Sequence, residues 1–182
     1  MTMIKVSETV SAGIRCFTRA QLLSVTRARE LAAAMVTDYY KVAPREWSRM
    51  PYEVKTLRSL ESSEITDDAL AQTVCYGFKR QAGPVVLEEG DLYRICLQDH
   101  RILDASRQCG TSLGALVTYV LTHELVHVVR FGQRLQRIDL PEALRGREES
   151  RVESTTYAIL AHTDDPEIKY VLSSRQDTLR QS

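Results

Sequence analysis

The sequence predicts an α+β fold, mostly helical, with a small antiparallel sheet of two or three strands. Three observations predict it. Apolar residues recur at helical spacing over residues 18–42, β-branched and aromatic residues gather at 73–79 and 92–98, and residues 113–131 form a run that is apolar almost all round.

Taken in order, Thr18 and Gln21 can form a capping box. Leu22, Val25, Ala28, Leu31 and Met35 then follow at spacings of three and four, and Pro44 ends the helix. A second, shorter helix is expected from Pro51 through Val54, Leu57 and Leu60, since proline is tolerated in a first turn. Residues 61–68 are polar and read as a loop. Residues 73–79 and 92–98 read as strands, with turns at Gly83-Pro84 and over residues 88–91, and residues 101–104 as a third short strand. Gly110, Thr111 and Ser112 mark the entry to the apolar helix, which belongs in the centre of the molecule and stops at Gly132. Pro141 opens another helix over residues 142–161, closed by Asp164, Asp165 and Pro166. The remainder docks a short segment through Ile168, Tyr170, Val171 and Leu172 before turning polar.

At 182 residues, with 24 basic and 24 acidic side chains, the chain suits one domain and carries no general signature of nucleic-acid binding. Within that domain, residues 1–62 form a helical N-terminal segment, 69–163 the core and 164–182 a tail. The four cysteines, Cys16, Cys75, Cys96 and Cys109, are too far apart for a cysteine zinc site and read as buried free thiols. The first twelve residues lack the apolar core of a secretory signal. His123, Glu124 and His127 break the longest apolar window, so a cytoplasmic protein with no membrane span is expected.

One motif dominates. His123, Glu124 and His127 form H-E-x-x-H inside the apolar helix. Residues four apart lie one above the other on a helix, so both imidazoles can reach one zinc ion at about 2.0–2.1 Å. Glu124 then sits beside the open coordination position, where it can take a proton from metal-bound water. Two histidines and a glutamate are costly to bury without a partner, and a metal supplies one. A third ligand at 133 would extend the motif as H-x-x-G-x-x-H, but the chain has Arg130 and Gln133 there. The next helix instead offers Glu149, twenty-two positions after His127, with Glu153 one turn later.

Over residues 92–161 this pattern resembles the gluzincin clan of zinc metallopeptidases, and in brevity the chain resembles the compact members of that clan. The resemblance implies a zincin-like core that hydrolyses peptide bonds in a peptide or protein substrate. It implies Zn2+ held by His123, His127 and Glu149, with Glu124 as general base and Glu153 as the acid supporting a ligand histidine. It also implies that the strand over residues 93–98 is the rim against which an extended peptide pairs.

Helical periodicity groups Glu149 with Val152, Thr156 and Leu160 and turns Glu148 about 100° away. Glu149 is thus the expected third ligand, with Glu153, Glu148 and His162 as alternatives. Tyr157, one turn beyond Glu153, is the first choice of oxyanion donor, ahead of His162 and Arg134. Trp47, Tyr39 and Tyr40 read as packing anchors. The competing expectation is a non-catalytic or self-inhibited zinc-binding interaction protein, its cleft covered by the N-terminal helices or the tail.

Overall fold

A computed structural model describes residues 15–82, 85–137 and 140–180. Within them the fold is α+β, mostly helical, with one small mixed sheet.

Helix α1, Arg19–Tyr40, begins on the expected capping box: Thr18 Oγ1 accepts from Gln21 N–H and Gln21 Oε1 accepts from Thr18 N–H. Its buried stripe is Val25, Ala28, Ala32 and Val36, whereas Leu22 and Leu31 are exposed. The two alanines let α1 pack closely along the central helix, so the inward face is one of small residues rather than leucines. Lys41, with φ 53°, ends α1, and Pro44 opens the single turn of α2, Pro44–Trp47. Trp47 donates from Nε1 to Thr37 Oγ1 at 2.9 Å and packs on Tyr52, as an anchor should.

The sheet departs from expectation in three ways. Residues 52–55 are not helical: β1, Tyr52–Lys55, pairs parallel with β3, and two 3-10 turns follow, Leu57–Ser59 and, inside the expected loop, Ser62–Glu64. Residues 101–104 are not a strand but part of helix α3, Asp99–Cys109, closed by Gly110 in the left-handed region at φ 62°. Its buried Asp99 accepts from the main-chain N–H groups of Phe17 and Leu57, which fixes the start of the helix against two distant segments. Strands β2, Ala71–Ala82, and β3, Val85–Leu97, are an antiparallel pair longer than the sequence suggests, and they run through the turn expected at 88–91. The Gly83-Pro84 turn lies outside the described residues. The order is β1-β3-β2, so β3 is central and β2 is an edge.

Helix α4, Leu113–Gly132, starts on Ser112, whose hydroxyl accepts from Ala115 N–H, and is buried over nearly its whole length. A side chain at Gly132 would collide with the buried Met50 side chain, so glycine here permits a close approach as well as a stop. Helix α5, Glu142–Leu160, and helix α6, Pro166–Arg180, pack against α4. The docked tail is thus a helix, held by Ile168, Val171 and Leu172. Among the described residues no helix is long and apolar enough to cross a membrane. The four cysteines are free, but only Cys96 is buried and Cys109 is exposed.

Candidate metal centre

Successive turns of α4 carry His123 and His127 with ring centroids 5.1 Å apart. Both rings turn Nε2 towards one carboxylate on α5. His123 Nε2 lies 2.8 Å from Glu149 Oε1, and His127 Nε2 lies 3.4 Å from Glu149 Oε2. Donor atoms of the three residues all fall within 4.8 Å of one another. The opposite ring nitrogens differ: His127 Nδ1 hydrogen-bonds Gln136 Oε1 at 3.3 Å, whereas His123 Nδ1 is buried 3.3 Å from Glu153 Oε2 without hydrogen-bond geometry. Tyr119 donates its hydroxyl to Glu153 Oε1 at 2.6 Å. Phe131 lines the cleft and stacks on both the His127 ring and Tyr93.

Electrostatics favour a positive charge at this point. Burial opposes protonation of His123, but the carboxylates of Glu149, Glu153 and Glu124 outweigh it and push the imidazole up to about 10. Hydrogen bonds from the two imidazoles hold Glu149 well below the usual carboxylate range. The same donor set of two imidazoles and a carboxylate suits zinc.

Glu124 projects into the same cleft of about 420 Å3 and is buried. Its Oε2 accepts from Thr73 Oγ1 at 2.7 Å. The cleft is lined by α4, by Glu149 and Glu153 from the middle of α5, and by residues 69–73, which lead into and begin β2. No described residue of α1 or α6 lines it.

The glutamates sort differently from their expected burial. Val152, Thr156 and Leu160 are fully buried, but Glu149, in the first half of the helix, overhangs the cleft mouth with its side chain 57% exposed. Glu148 is the buried one. It accepts from Arg130 Nε at 2.7 Å and Arg151 Nη1 at 3.2 Å, so its carboxylate is already engaged away from the histidines. His162 is exposed and outside the cluster.

Three expectations are corrected. Tyr157 does not line the cleft; its hydroxyl donates to the Leu172 carbonyl and ties α5 to α6. Arg134 is exposed in the turn after α4, at φ 57°, and does not line the cleft either. The rim strand is not residues 93–98, since β3 is central and Tyr93, Ile95 and Leu97 are buried. β2 has the free edge. Gln98 N–H donates to the Leu70 carbonyl, so by antiparallel alternation the main-chain groups of Ala71 and Thr73 point away from β3.

Sequence reasoning missed Thr73, Tyr119 and Gln136. Tyr119 was within its reach, four residues before His123 on the same helical face. Thr73 and Gln136 arrive from a strand and a turn, and no periodicity links them to α4. Of the thiols in the sheet, burial pushes Cys75 up to about 11 and Cys96 up to about 12. Compared with known proteins, the chain matches no family model, no curated protein and no solved structure.

Proposed function

We propose that this chain is a zinc-dependent metallopeptidase of the gluzincin type, with His123, His127 and Glu149 as ligands and Glu124 as general base. The observation that carries the reading is the convergence of two Nε2 atoms on one carboxylate, with an acceptor facing each Nδ1. Ligand histidines are held in that way, since an acceptor at one ring nitrogen leaves the lone pair of the other for a metal.

Zinc, when bound, lowers the pKa of its water towards neutrality and polarises a carbonyl oxygen. Glu124 accepts the proton of the attacking water as the water oxygen joins the carbonyl carbon. The same carboxyl returns that proton to the amide nitrogen as the C–N bond breaks. Glu153 holds His123 in orientation, and Tyr119 in turn holds Glu153. The outward main-chain groups of Ala71 and Thr73 offer an extended peptide a strand to pair with beside Glu124.

Glu124→Gln tests the assignment. The variant should keep its zinc and lose at least about a hundredfold in turnover of peptides found by a library cleavage screen. Zinc retained together with unchanged turnover would overturn it.

A further inference from the structure

Glu124 is buried, and the hydroxyl of Thr73 is its one side-chain hydrogen-bond partner among the described residues. We infer that Thr73 is a positioning residue that aims Glu124 for proton transfer, an inference that rests on the peptidase reading above.

A glutamate reaches its working position through three side-chain torsions, each with alternative rotamers. Packing cannot select among them at the carboxylate itself, because Glu124 opens onto a cleft. The Thr73 hydroxyl can. Its donation to Oε2 at 2.7 Å fixes one oxygen and leaves Oε1 free of any hydrogen-bond partner among the described residues, ready to take a proton.

The donor is itself held rigidly. Thr73 is β-branched and so stiff about χ1. It lies in the paired part of β2, opposite Ile95. Strand alternation sends Gln72 and Tyr76 to the other face, where Gln72 donates to the Glu64 carbonyl and Tyr76 to the Glu64 carboxylate. The same polar network that anchors that face thereby fixes the face on which Thr73 meets Glu124. Thr73 also sits on the free edge of the strand, so a peptide paired there would lie beside the oriented base.

The test uses the full chain loaded with zinc and an internally quenched peptide taken from the cleavage screen. Thr73→Val keeps the shape and removes the hydroxyl; Thr73→Ser keeps the hydroxyl. Thr73→Val should retain its zinc and lose kcat by about tenfold to a hundredfold with KM little changed. Thr73→Ser should recover most of that loss, and Thr73→Val should add nothing in a Glu124→Gln background. In urea unfolding of the metal-free chain, Thr73→Val and Glu124→Ala, which removes the acceptor, should be non-additive, a readout independent of turnover. Thr73→Val with wild-type kcat, Thr73→Ser as slow as Thr73→Val, or additive effects in either experiment would overturn the inference. A wild-type chain that binds zinc and cleaves no peptide would instead overturn the peptidase reading and this inference with it.

Discussion

An imidazole ligates through one nitrogen, and the hydrogen bond at the other fixes which nitrogen that is and how the ring is turned. Gln136 meets His127 Nδ1 in such a bond, and Glu153 Oε2 lies 3.3 Å from His123 Nδ1, near enough to close one when the ring is turned onto a metal. Glu153→Ala and Gln136→Ala are each expected to weaken zinc binding by about tenfold to a hundredfold, read by competition with a chromogenic chelator. Unchanged affinity in both would mean that ring packing, with Phe131 against His127, sets the orientation alone. At this scale His123, Glu124 and His127 were legible because helical spacing decides which side chains share a face. Glu149 was legible for the same reason, although its exposure was not. Gln136 was hidden because its place depends on a turn, where the main-chain N–H groups of Leu135 and Gln136 both donate to the Arg130 carbonyl. Tyr157 was misjudged because its neighbour is α6, whose docking no spacing within α5 reveals.

Between elements, the buried Arg130–Glu148 pair sets α5 against α4. Glu148 immediately precedes Glu149, the proposed ligand, and Arg130 lies one turn beyond His127, so the pair fixes the two helices in register next to the candidate metal centre. Removing one partner leaves a buried charge unpaired. Glu148→Ala should therefore cost about 3–5 kcal/mol in urea unfolding. An unchanged midpoint would show that the pair contributes nothing to the α4–α5 packing. The helices α1, α4 and α5 were readable from periodicity and caps. β1 and α3 were not, for reasons of range and length. The Tyr52–Lys55 segment is extended because it pairs with a strand about forty positions away, and Arg94 donates to Glu53 across that pairing. Four residues such as 101–104 are too short for a period to show, and α3 is anchored by the distant Phe17 and Leu57.

Across the molecule, one apolar cluster joins α1, β3, α3, α4, α5 and α6, with α4 at its centre. On the sheet face away from the cleft, Glu64 ties β2 and β3 to the chain before them. Its carboxylate accepts from Tyr76, Arg94 and the Glu61 N–H. Burial alone would raise its pKa, but these donors outweigh that and bring it from 4.5 down to about 2. A depressed carboxylate pKa stabilises the fold above its unfolded value and loses that contribution as the pH falls towards the folded one. The contribution is about 3 kcal/mol, present above about pH 4.5 and lost towards pH 2. Urea unfolding from pH 6 to pH 3 should show stability falling, with a shallower slope in Glu64→Gln; equal slopes would contradict this.

The central claim is that α4 and α5 together hold a metal ion. Its most direct test is zinc content per chain, by mass spectrometry, on protein purified without chelator or added metal, with wild type and Glu149→Ala side by side. About one zinc per wild-type chain and a sharp fall in Glu149→Ala are expected. Equal zinc in both, or none in the wild type even after zinc is offered, would contradict it.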